Sequence, residues 1–165
     1  MKKTIVLIIL AVYIASIAVV NFFGLQVRIF DGITYIEGIQ CDTVYFHGNN
    51  SELLKPVKFL DGDIPLFVFD FIPPEDPNKP YTTDPESLTS NPNVIQLNYE
   101  IFPHRATDSA IVFEYDKNAE YAVYHELSGA FIFLKSDVVL DVVIRAVDGS
   151  NVSTRIAIYC RAPKA

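Results

Sequence analysis

From residue 94 to residue 160 the chain changes polarity at nearly every second position, a period that fits a strand and not a helix. In "VIQLNYEIF", 94–102, Ile95, Leu97, Tyr99 and Ile101 share one face, and Gln96, Asn98 and Glu100 the other. "VVLDVVIRAV", 138–147, aligns Leu140, Val142, Ile144 and Ala146, and "NVSTRIAIYC", 151–160, aligns Val152, Ile156, Ile158 and Cys160. A strand with one apolar face must bury that face against another layer. Between these runs lie "AIVFEY", 110–115, "YAVYHEL", 121–127, and "AFIFL", 130–134. Turn residues punctuate them: Pro103, Ser128-Gly129 and Asp148-Gly149, the last a hairpin signal because Gly tolerates positive φ. Upstream, "ITYIEGIQCDTVYF", 33–46, reads as one long or bent strand. "IPLFVFDFI", 64–72, is apolar on both faces and reads as a central buried strand. About eight short strands with turns between them predict an all-β chain folded as a β-sandwich.

Two segments interrupt that pattern. "GNNSELLKP", 48–56, reads as a loop with one helical turn. "PPEDPNKPYTTDPESLTSNPN", 73–93, contains six prolines and cannot run as a central strand. It is expected to be an exposed loop, ordered locally by polyproline stretches. A proline-fixed loop loses little entropy on binding, and exposed Tyr is a favoured contact residue. Tyr81, with Glu75 and Asp76 nearby, is therefore the candidate binding loop; the alternative is a plain spacer.

The N-terminus sets where such a domain would work. Met1-Lys2-Lys3 precedes 22 residues without a charge, 4–25. As a helix these span about 33 Å, enough for the hydrocarbon core of a bilayer. Lys2, Lys3 and the terminal amine favour the cytoplasmic side. The expectation is a signal anchor over residues 1–25. It would be a single-pass transmembrane helix in the cell membrane, with an extracytoplasmic domain over 26–162. Ser16–Ala18 also offers a small-x-small cleavage site, so a cleaved signal peptide is the competing reading. Both readings take the body of the chain out of the cytosol.

Charge and chemistry narrow the function. A net charge of −7 argues against nucleic acid, whose binding needs Lys and Arg to displace counterions. Cys41 and Cys160 are a candidate disulfide in an oxidising compartment, or else two buried free thiols. The three histidines, His47, His104 and His125, lack the spacing of a zinc site. The carboxylates of Asp61 and Asp63, Glu75 and Asp76, and Asp84 and Glu86 are hard oxygen donors, but the twelve-residue calcium loop is missing. Asn49 and Asn151 head glycosylation-type tripeptides. No phosphate-binding loop, dinucleotide fingerprint or nucleophile elbow is present, so no cofactor, metal or enzymatic activity is expected.

A string of positions within 94–160 resembles a known module. Pro103, Ala106 and Thr107 form a Pro-x-x-Ala-Thr corner, followed by Ile111 and the bulky Phe113. Ala122 and Val123 come next, then Gly129 with Phe131, then Ile144 and Ala146, then Asp148-Gly149. This order is similar to the bacterial immunoglobulin-like (Big) domain family, group 2, with Phe113 where that family commonly has Trp. The resemblance implies an Ig-like β-sandwich in which 26–93 supplies a first strand or an added pair. It also implies a non-catalytic role: adhesion, binding of a surface protein or carbohydrate, or a structural part of the cell surface. Two other readings stand beside it. One is a structural subunit of a larger membrane-associated assembly. The other is a secreted enzyme using His104 or His125.

Overall fold

The computed structural model describes residues 12–13, 32–83 and 90–163. Of the expected membrane segment, Val12 and Tyr13 are helical and the other residues lie outside the described set. Among the described residues no helix is long and apolar enough to cross a membrane. The chain divides into two compact units, Met1–Thr34 and Tyr35–Ala165.

Tyr35–Ala165 is a two-layer β structure. Its strands are β1 (Gly38–Phe46), β2 (Glu52–Leu54), β3 (Lys58–Leu60), β4 (Ile64–Asp70) and β5 (Val94–Phe102), then β6 (Ile111–Glu114), β7 (Ala122–His125), β8 (Ala130–Phe133), β9 (Val138–Ala146) and β10 (Ser153–Arg161). One sheet has the order β2-β1-β5-β8-β7 and the other β3-β4-β10-β9-β6. Neighbouring strands are antiparallel except β4 and β10, which run parallel with Leu66 opposite Ala157 and Asp70 opposite Arg161.

The alternation read from the sequence becomes the interlayer core. Ile95 and Leu97 of β5 are buried, as are Leu140, Val142, Ile144 and Ala146 of β9 and Ile156, Ile158 and Cys160 of β10. Phe67, Phe69 and Phe71 enter from the second sheet and Phe131 and Phe133 from the first. At one end, Phe69 packs between Phe46 and Phe133 with ring centroids 4.8 and 5.1 Å away. Such tilted and edge-on pairs suit the ring quadrupole.

The segment 48–56 differs from expectation. No helical turn forms; Glu52–Leu54 pairs with β1, and Lys58–Leu60 then pairs with β4. The chain thus crosses from one sheet to the other along one edge of the sandwich. The β3–β4 turn uses Asp61 and Gly62, both at positive φ. The bent strand expected at 33–46 is β1, whose pairing with β5 shifts register between Gln40 and Thr43. Asp148-Gly149 makes the β9–β10 turn, with Gly149 at φ 88°. There Asp148 accepts hydrogen bonds from the Ser150 N–H at 2.9 Å and the Ile36 N–H at 2.5 Å. One carboxylate therefore closes a turn and also ties down the segment that leads into β1.

β8 is buried on both of its faces. Phe131 and Phe133 point into the core, while Ile132 packs on the outer side with Leu134 under Tyr81, Val94 and Val123. The proline-rich segment is brought onto this outer face by Tyr81. Its base is fixed by Asn93, which is fully buried. The Asn93 amide accepts from the Ile72 N–H at 2.7 Å and donates to the Ile72 carbonyl at 2.9 Å. A side chain here reproduces the reciprocal bonding of a strand pair and links the exit of β4 to the start of β5.

Candidate functional site

The edges of the two sheets leave an opening on one side. β6 ends one sheet and β7 ends the other. Each is four residues long, and the gap between them is a cleft of about 270 Å³ lined by Ile111, Val112, Phe113, Tyr115, Lys117, Tyr124 and Glu126. The pleat explains the lining. Ile111 and Phe113 alternate inward along β6, while Val112 and Glu114 face solvent. Tyr115 continues the inward parity just past the strand. Tyr124 pairs with Phe131 across β7 and β8 and shares its inward face.

The rings hold one another in place. Phe113 lies 5.4 Å from Tyr124, 6.0 Å from Tyr99 and 6.1 Å from Phe131, centroid to centroid. Tyr115 meets Phe131 edge-on at 5.2 Å, and Tyr124 meets Phe131 at 5.0 Å. A floor interlocked in this way is preformed, so filling it costs little reorganisation. Burial pushes both phenols, Tyr115 and Tyr124, above the ordinary tyrosine pKa, and the nearby Glu126 carboxylate adds to the shift of each. They are neutral hydrogen-bonding groups across the physiological range. Among the described residues, Lys117 and Glu126 form no ion pair. By contrast, the outer face of the second sheet carries three cross-strand ion pairs among the described residues: Glu114–Arg145 at 2.6 Å, Asp141–Arg155 at 3.1 Å and Asp70–Arg161 at 2.5 Å.

The residues singled out from sequence fall elsewhere. Tyr81 is turned inward, its ring meeting Phe71 edge-on at 6.0 Å and packing on the layer around Ile132. It is half-buried and packs on the body of the domain from its loop. Burial, then the Glu75 carboxylate, raises the Tyr81 pKa, so those two residues are neighbours. Asp76 closes a local turn, accepting from the Asn78 N–H at 2.9 Å. Cys41 and Cys160 are both free thiols within the core. Each is pushed up to about 12, by burial first and then by the charge of Asp42 or Asp70 respectively.

The histidines are dispersed. His47 contacts Gln96 at 3.3 Å, and the His104 ring stacks on Phe102 at 5.1 Å. His125 Nδ1 and Ser128 Oγ lie 2.8 Å apart in the β7–β8 turn. That is nucleophile-to-base distance, but catalysis also needs a third group to orient the imidazole. Here the Ser128 hydroxyl donates to the His125 carbonyl at 3.3 Å, as a turn closure does. Among the described residues no group of three His, Cys, Asp or Glu side chains is placed to hold a metal.

Sequence reasoning did not assemble the cleft, because it joins the edges of two different sheets. A local signal existed in the crowding of Tyr115, Tyr121 and Tyr124 among charges in "EYDKNAEYAVYHE", 114–126. Comparison of the chain with protein-family models, with curated proteins and with solved structures gives no match.

Proposed function

We propose that this chain is a membrane-anchored, extracytoplasmic Ig-like domain that binds a ligand, without transforming it, through the cleft between β6 and β7. The observation that carries the reading is the cleft itself. It is concave, contains a cation, Lys117, and an anion, Glu126, that form no ion pair among the described residues, and is floored by interlocked aromatic rings, the composition expected of a ligand site. The Ig-like assignment draws on strand order. With β1, β5, β6, β7, β8, β9 and β10 taken as A to G, one sheet contains A-B-E-D and the other C-F-G, the order of a constant-type immunoglobulin sandwich. β2, β3 and β4 are then additions between A and B. The membrane placement rests on the uncharged run 4–25 and the lysines before it.

Two experiments test this. Protease treatment of intact cells should release a fragment from the domain and leave the N-terminus in the membrane; a domain protected until lysis would refute the topology. Tyr124→Ala, compared with wild type at a temperature where circular dichroism shows both folded, should abolish retention of the full-length protein on its ligand surface; unchanged retention would remove the cleft from the function.

A second reading is a structural subunit of a larger membrane-associated assembly. It draws on the opposite edge of the sandwich, where Leu53, Val57 and Phe59 are 47, 69 and 61% exposed. Concentration-dependent association that is lost in Val57→Lys would favour it.

A further inference from the structure

β6 pairs with β9 on one side and, among the described residues, has no strand on the other. In a strand, the backbone N–H and C=O groups point alternately to either side, so an edge strand presents a row open to a partner. Natural edges are blunted by very short strands, by charged side chains, by Pro or by bulges. "IVFE", 111–114, is short and carries Glu114, but that charge is paired with Arg145, the strand has neither Pro nor a bulge, and Val112 on its outer face is 43% exposed. The flanks are fixed independently: the Ala110 N–H is held by Asp108 at 2.9 Å and the Asn118 N–H by Asp116 at 3.0 Å. The free row is thus short, rigid and bounded by turns.

A strand laid against β6 would share its pleat. Its side chains would alternate between the outer face, beside Val112, and the inner face, over Phe113, Tyr115 and Tyr124. The cleft lies where the inner set would project. Its 270 Å³ exceeds the roughly 150 Å³ of an apolar cavity that accepts benzene, so it has room for a large apolar side chain. Charge selects among such strands. Glu114 is neutralised by Arg145, and the cleft itself holds one carboxylate, Glu126, and one cation, Lys117, neither in an ion pair among the described residues, so the selecting field is that of the whole chain. The chain as a whole carries −7. A positively charged partner is favoured both on approach and once seated.

We infer that the cleft is the side-chain pocket of a strand-addition site. In it, an extended peptide segment alternating large apolar with basic residues pairs with the free edge of β6 and seats an apolar side chain against Phe113, Tyr115 and Tyr124. This deepens the proposed binding function and rests on it. Main-chain hydrogen bonds supply affinity in this mode, and the pocket supplies specificity.

The test selects a displayed library of random peptides, about twelve residues long to exceed a typical strand, on the full-length protein in lipid nanodiscs. An array of oligosaccharides is screened in parallel. Selected peptides should alternate apolar and basic residues. N-methylation of alternate amides should weaken binding about tenfold or more in one parity and leave the other parity within about twofold, as expected for losing a pair of main-chain bonds on one edge. Glu126→Lys, an exposed change at the cleft, should weaken the same peptides. Selected peptides indifferent to methylation parity, or cross-linked away from β6, would overturn strand addition. Oligosaccharide binding at Tyr115 and Tyr124 without peptide binding would overturn it while sustaining the cleft as a binding site. Self-association of the protein through β6 in place of peptide capture would also overturn it. No ligand in either screen would remove both readings.

Discussion

The reciprocal bonding of Asn93 to Ile72 yields a sharp prediction, because a polar residue is expected to matter more here than most apolar ones. Asn93→Ala removes the acceptor at 2.7 Å from the Ile72 N–H and the donor at 2.9 Å to the Ile72 carbonyl. It also leaves a small void at a site with no solvent exposure. Stranding a buried donor or acceptor costs about 1–3 kcal/mol. Ile72 is half-buried, which admits some water, so the sum for the two groups should be about 2–4 kcal/mol. For a unit of the size Tyr35–Ala165 that is a fall in Tm of about 10 °C. The assay is urea denaturation of residues 32–165. The midpoint should drop with an unchanged slope, since the exposed area hardly changes.

Asn93→Asp makes the test specific. The carboxylate still accepts from the Ile72 N–H but cannot donate to its carbonyl, and its charge would be buried. Burial raises the pKa of such an acid. A folded-state pKa raised above the unfolded value gives stability that is present at low pH and lost as pH rises. Asn93→Asp should therefore be less stable than Asn93→Ala at neutral pH and recover towards acid, where its protonated oxygen can donate. An Asn93→Ala variant within about 0.5 kcal/mol of wild type, below the cost of one stranded bond, would refute the reasoning. So would an Asn93→Asp variant whose stability is flat in pH.

Other expectations follow from single contacts. Gly48→Ala places a Cβ 2.6 Å from the buried Phe46 ring and 3.2 Å from Ile72, so calorimetry should show a loss of about 1–3 kcal/mol from overpacking. With both thiols pushed up to about 12, about one molecule in 10⁵ is a thiolate at neutral pH. Native protein should resist iodoacetamide, then take two alkyl groups per chain in denaturant without reductant; none in denaturant would establish a Cys41–Cys160 bridge instead. The Ile36 N–H, then the Ser150 hydroxyl, hold the Asp148 carboxyl below the ordinary Asp pKa. Its stabilising effect is therefore complete above the unfolded value of about 3.9 and lost as pH falls through the folded one. Asp148→Ala should flatten that part of the acid unfolding curve and speed hydrogen exchange at Ile36. Tyr81→Ala should cost about 1–2 kcal/mol and open the segment 71–83 to proteases; unchanged protection would mean that Tyr81 does not anchor it.

What could be read from the sequence follows from how each element is stabilised. β5, β9 and β10 were legible because each is half-buried along nine residues, so burial itself writes a period of two into the chain. β2 and β3 were not, because three-residue strands exposed on both sides leave no period to read. Tyr81 looked like a contact residue because nothing local signals that its ring will be taken up by Phe71 and the outer face of β8. Ile132 gives the complementary hint. A strand apolar at every position, "AFIF", needs cover on two faces, and the proline-rich segment is the nearest free length of chain. The cleft lay furthest from view. Phe113 and Tyr115 share a parity that the sequence displays, but their approach to Tyr124 depends on β6 and β7 ending different sheets on the same side. That follows from strand order, which no local pattern encodes. The same order sets the β6 edge, short and carrying an ion-paired Glu114 but neither Pro nor Lys, beside an aromatic pocket, and that juxtaposition is what the strand-addition proposal rests on.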